Sequence, residues 1–79
     1  MKPHVRNYFR HHGLAADDWV RCRVCGTTAV DIHHIEGRGC TLVARKVYDS
    51  PSNLIALCRR CHDRAHANKF TKDYLKALI

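Results

Sequence analysis

The stretch "NLIALCRRCHDRAH", residues 53–66, sets a strand, a metal-binding knuckle and a helix in direct succession. Its "LIAL", residues 54–57, is an unbroken apolar run of strand length entered through the turn signal "SPSN" at 50–53, and it reads as a short buried strand. Cys58 and Cys61 form a CxxC, a spacing that lets one tight turn aim two sulfurs at the same tetrahedral ion. From Arg59 to about Asn68 the residues suit a helix. On it His62 and His66 stand four apart and share a face, so that two imidazoles can grip one metal ion.

Working outward, Cys22 and Cys25 make a second CxxC. Two knuckles complete a four-cysteine zinc site, closed and therefore structural, which pins the start of the preceding strand to the start of the helix at 59–68. A redox role for either CxxC would call for a thioredoxin-like βαβ pattern, which the sequence lacks. A chain of 79 residues rarely buries enough core to fold unaided, so a staple of this kind is expected. Cys40 is left over and reads as an incidental or partly buried thiol.

"TTAVDIHHI", residues 27–35, is rich in β-formers and ends on two adjacent histidines. Neighbouring side chains on a strand point to opposite faces, so His33 and His34 face opposite ways. The knuckles bring this strand beside the helix that carries His62 and His66. One of the paired histidines then completes a three-imidazole site with water positions left open. The other stays clear of the metal and can take a proton near neutral pH. Three neutral ligands leave the cation its full charge, which helps to stabilise negative charge developing on a phosphate. Asp31 shares His33's face and is expected to orient it as a supporting carboxylate.

The rest of the chain shows no repeat and no low-complexity segment. Val5, Tyr8, Phe9 and His12 fall at helical spacing over 4–12, with Arg6 and Arg10 outward and Gly13 as C-cap. Residues 36–52 read as a loop with a short strand at "TLVARKVY". A last helix runs from Lys72 to Leu78, capped by Thr71, with Phe70 packing on Leu75 as a hydrophobic staple. The expected order is helix, strand, loop, strand, helix, helix. Fourteen Lys plus Arg against 7 Asp plus Glu give a formal charge of +7, which suits a polyanion such as nucleic acid. No apolar run approaches the ~20 residues that span a membrane. The polar, basic opening "MKPHVRNYFRHH" lacks the apolar core of a signal peptide, so a cytoplasmic location is expected, where clustered cysteines hold metal.

With "CRVC" at 22–25, "DIHHI" at 31–35, "NLIALCRRCH" at 53–62 and His66, the chain resembles the HNH endonucleases, the ββα-metal or His-Me finger nucleases. The resemblance spans residues 22–66 and takes in two knuckles, a histidine pair, an Asn and a final His in order, with nine positions from Asn53 to His62. It implies a small α+β domain, a zinc-stapled ββα-metal core over 21–68 flanked by a basic N-terminal helical extension, 1–20, and a C-terminal helix, 69–79. It also implies hydrolysis of DNA phosphodiester bonds with one catalytic divalent metal, giving 5′-phosphate and 3′-hydroxyl ends. By position, His34 is the expected general base, Asn53 the residue that orients the site, and His62 a metal ligand. His33 takes the ligand place before the base, and His66 matches the extra helix ligand of colicin-type DNases. Arg38, in "GRG", is expected to hold a phosphate or to stabilise the transition state. An all-imidazole site favours Zn²⁺, Ni²⁺ or Mn²⁺ by affinity, and Mg²⁺ is a further working ion. DNA should be held mainly through phosphates by Lys2, Arg6, Arg10, Arg45, Lys46, Arg59, Arg60 and Arg64, with binding that weakens steeply in salt. The small size fits an accessory nuclease of a phage or mobile element, with a partner protein from that system. The rival reading is a catalytically inactive zinc module that holds nucleic acid or protein without cutting.

Overall fold

The computed structural model describes residues 2–36 and 48–79. Arg38, Cys40, Arg45, Lys46 and positions 41–47 of the expected "TLVARKVY" strand lie outside the described residues. The described elements are α1 (Pro3–His11), β1 (Asp31–His34), a 3₁₀ turn (Pro51–Asn53), β2 (Leu54–Leu57), α2 (Arg59–His66) and α3 (Lys72–Ala77). They make a small α+β fold around a two-stranded antiparallel sheet.

Register determines which side chain meets which layer. Asp31 pairs with Leu57, Ile32 with Ala56, His33 with Ile55 and His34 with Leu54. Cross-strand partners share a face, so one face carries Asp31, His33, Ile55 and Leu57, and the other Ile32, His34, Leu54 and Ala56. Each face has its own core. On the first, Ile55 and Leu57 cluster with Cys22, Ile35, Cys61 and Leu75. On the second, Leu54 and Ala56 cluster with Tyr8, flanked by Phe9, Leu14, Val20, Ala29 and Ile32. Covering on both sides is why "LIAL" is apolar without alternation and why all four residues are fully buried. β1 is shorter than the β-rich run before it suggests: Thr28 makes only an isolated bridge to Arg21, and the ladder begins at Asp31.

The knuckle that leads into β1 turns at Gly26, whose φ of +82° lies where a Cβ is strained. Its closing bonds run from Cys22 N–H to Thr27 O and from Gly26 N–H to Cys22 O.

The helix ends follow from local chemistry. At the end of α1, Gly13 takes φ +66°, Leu14 N–H bonds to Phe9 O and Gly13 N–H to Arg10 O, a Schellman closure. α2 ends two residues before the expected boundary because Asn68, at φ +59°, makes the same closure with Lys69 N–H on Arg64 O. Thr71 caps α3 as expected, its hydroxyl accepting from Tyr74 N–H at 3.0 Å. Phe70 and Leu75 lie in one core cluster. The buried face of α1 differs in one residue: His4 is buried, and His12 is exposed against the Tyr8 ring. Among the described residues no helix is long and apolar enough to cross a membrane.

Candidate functional site

Cys22, Cys25, Cys58 and Cys61 present four sulfurs within 4.8 Å of one another. Cys58 is also the N-cap of α2, its sulfur accepting from Cys61 N–H, so a helix N-terminus faces the cluster. The Thr27 hydroxyl, 3.0 Å from the Cys25 sulfur, pulls that thiol down to about 6. The Cys61 N–H lowers Cys58. Cys61 moves the other way, because burial among the other three sulfurs disfavours a lone thiolate there. Two thiols poised to ionise and one that needs a cation to do so are what a four-thiolate zinc site requires, and the cluster can hold a structural zinc.

His33, His62 and His66 form a second cluster, each offering a nitrogen within 4.8 Å of the others. α2 supplies two of them one turn apart, and the face of β1 that looks toward α2 supplies the third. His62 Nε2 and His66 Nε2 lie 3.0 Å apart, aimed at a common point. His33 meets both rings edge-on, with centroids at 5.1 and 5.3 Å. Burial first, and then the His62 and His66 rings, push His33 down to about 4, so it presents a lone pair rather than a charge. A shared dication suits three converging lone pairs.

Asp31, expected to orient His33, has its carboxylate closest to His62 and Arg59. Oδ2 lies 3.0 Å from His62 Nδ1 and 3.5 Å from Arg59 Nη1. The register explains the change: Asp31 pairs with Leu57, two residues before α2 starts, so the first turn of α2 passes over it. Asp31 Oδ2 and His62 Nδ1 are both buried and do not line up as a hydrogen bond. A small rotation of the His62 ring would make one, giving the carboxylate–imidazole support typical of metal-binding histidines.

His34 faces the other way, toward α1. Its Nε2 lies 2.6 Å from Asp49 Oδ1. The His4 ring is tilted against it with centroids 4.4 Å apart. A carboxylate oxygen accepts, so Nε2 is the nitrogen that donates in this pair. Asn53, just before β2, is buried. Its Oδ1 accepts from Glu36 N–H at 2.9 Å, and its Nδ2 donates to Tyr48 O at 2.8 Å and Glu36 O at 3.3 Å. Among the described residues β1 pairs only with β2, and a cleft of about 580 Å³ follows it. Lys2 and His4 line one end of the cleft, His62 and His66 the other, and both His33 and His34 open into it.

The expected site residues thus fall into three groups, the four cysteines, the trio of His33, His62 and His66, and His34 beside Asp49, while Asn53 bonds to Glu36 and Tyr48. Arg38 lies outside the described residues. Sequence reading overlooked His4 and Asp49. His4 was within reach, because positions 4, 5, 8 and 9 complete the buried stripe of α1 at helical spacing. Asp49 gave no such signal; only the fold brings it to His34.

Arg6, Arg10, Arg59, Arg60 and Arg64 are exposed on α1 and α2. In comparisons with known proteins, the family model described as HNH endonuclease matches residues 22–68. No curated protein and no solved structure matches the chain.

Proposed function

The chain belongs to the HNH endonuclease family, and on that premise we propose that it is a metal-dependent endonuclease that hydrolyses DNA phosphodiester bonds. One observation carries the reading: three imidazoles converge on one point while a fourth, held by a carboxylate, opens into the same cleft.

In this reading His33, His62 and His66 hold the catalytic divalent metal, which when bound supplies positive charge to the scissile phosphate and the leaving 3′ oxygen. Asp31 steadies His62. His34, its Nε2 proton kept by Asp49, takes a proton from the attacking water at Nδ1. The water oxygen bonds to phosphorus, the P–O3′ bond breaks, and the products carry 5′-phosphate and 3′-hydroxyl ends. Asn53 braces the segments on either side of the site. Lys2, Arg6, Arg10, Arg59, Arg60 and Arg64 contact backbone phosphates, together with Arg38, Arg45 and Lys46 from outside the described residues. The four cysteines hold zinc and keep the core of 21–68 together, with 1–20 and 69–79 flanking it.

The test is cleavage of supercoiled plasmid with Mg²⁺, Mn²⁺, Ni²⁺ or Zn²⁺, comparing the wild type with His34→Ala at matched zinc content and fold. Metal-dependent nicking that a folded His34→Ala loses supports the assignment of the base. Equal cleavage by both proteins removes His34 from that role. A folded wild type inert with every metal and DNA form leaves a binding module instead.

A further inference from the structure

His4, His34 and Asp49 form a third cluster of metal-ligating groups, again with one ligand atom from each within 4.8 Å of the others. They come from distant parts of the chain: the first turn of α1, the end of β1 and the residues before the 3₁₀ turn. His4 is 8% exposed, and the His34 and Asp49 side chains are 10% and 19% exposed. Two imidazoles and a carboxylate are thus gathered in a largely buried cluster, with His4 and His34 lining the cleft. The His4 ring, its centroid 4.4 Å from that of His34, brings a third ligating side chain to the His34–Asp49 pair. Tetrahedral ligands at ~2.0–2.2 Å from a metal lie roughly 3.3–3.6 Å apart, a spacing this cluster reaches through small side-chain rotations. The donor set of two nitrogens and one oxygen suits borderline dications such as Ni²⁺, Co²⁺ and Zn²⁺ over Mg²⁺.

We propose that His4, His34 and Asp49 are a second divalent transition-metal site, distinct from the His33, His62 and His66 trio, and that filling it switches the nuclease off. The switch follows from the imidazole itself. In the proposed mechanism Asp49 accepts from His34 Nε2, and Nδ1 is the nitrogen that acts as base. A metal between His34 Nε2 and Asp49 takes the place of that proton, and the neutral ring then carries its one proton on Nδ1. The nitrogen assigned to the attacking water would then be a donor and would no longer accept a proton. The inhibitory effect rests on the proposed role of His34 as base; the existence of the site does not.

The experiment is a Ni²⁺ titration of the protein with its cysteine zinc in place, read by calorimetric stoichiometry and, in parallel, by plasmid nicking with Ni²⁺ as the only added metal. The wild type should bind two equivalents beyond zinc, and nicking should rise with the first and fall with the second. His4→Gln should lose one equivalent, or bind it at least about tenfold more weakly, and should keep the rise without the fall. The readout is the ratio of rates at high and low Ni²⁺ within each protein, so a change in basal rate does not matter. Asp49→Asn serves as a second removal of the site should His4→Gln not fold. His66→Ala should retain the His4 equivalent while losing the other. A single equivalent in the wild type, or two unaltered equivalents in folded His4→Gln and Asp49→Asn, overturns the site. An unchanged fall in nicking in His4→Gln overturns the switch. If no protein nicks DNA, the endonuclease reading fails, and the binding stoichiometry still decides the site.

Discussion

His33 and His34 are the same residue twice, and their surroundings make them chemically unlike. Burial against two other imidazoles keeps His33 neutral down to about pH 4, whereas the unfolded chain protonates near 6.5. Between those values the unfolded state binds a proton that the folded state refuses, so stability rises with pH across that window. The melting temperature of protein without metal at the trio should therefore climb from pH 4 to 6.5, and His33→Asn should flatten the slope; parallel curves for the two proteins would show that His33 is not the group responsible. Asp31 bears on the same trio through His62. Its replacement by Asn should weaken metal binding there by about 10–100-fold in a competition titration while the zinc content stays constant. Strand alternation alone makes the division between His33 and His34 legible in the sequence. The partner of Asp31 is not legible there, because a residue's own face says nothing about which turn of a later helix will cross it. Asp49 is invisible for a related reason: no local pattern links it to His34, fifteen positions earlier.

At the scale of elements, the boundaries are set by single residues that satisfy backbone groups. Thr71 supplies the one side-chain oxygen that caps α3, a helix of six residues with little cooperativity of its own. Thr71→Ala should cost about 1 kcal/mol in chemical unfolding, and Thr71→Ser should recover most of it. Gly13 and the Thr71 cap are readable because their residue types announce the geometry. Asn68 is not, since an Asn in a polar run fits a helix as well as its left-handed end, and the expected helix runs through it. The strand "LIAL" is readable as buried, yet its partner on the second face is less so. α1 covers that face, and it lies before the segment that the family model matches.

For the molecule as a whole, Cys22 and Cys61 are both core residues and zinc ligand candidates, so metal binding and packing are one process. A structural zinc of this type contributes on the order of 10–16 kcal/mol to folding, more than a domain this small has to spare. Stripping the zinc with a strong chelator should abolish cooperative unfolding and near-ultraviolet dichroism, and adding Zn²⁺ back should restore both. A weak chelator that empties only the histidine trio should leave the dichroism intact. Asn53 carries a different consequence. Its amide ties Glu36 to Tyr48, so two points twelve positions apart in the chain are held by one buried clamp. Whatever is spliced between those two anchor points meets the body of the protein at a fixed doorway. A doubling of the length enclosed costs only about 0.6 kcal/mol in closure entropy. An insertion between Glu36 and Tyr48 would therefore meet two ends that Asn53 already holds together, a place where foreign sequence could be joined to the molecule at little cost in closure.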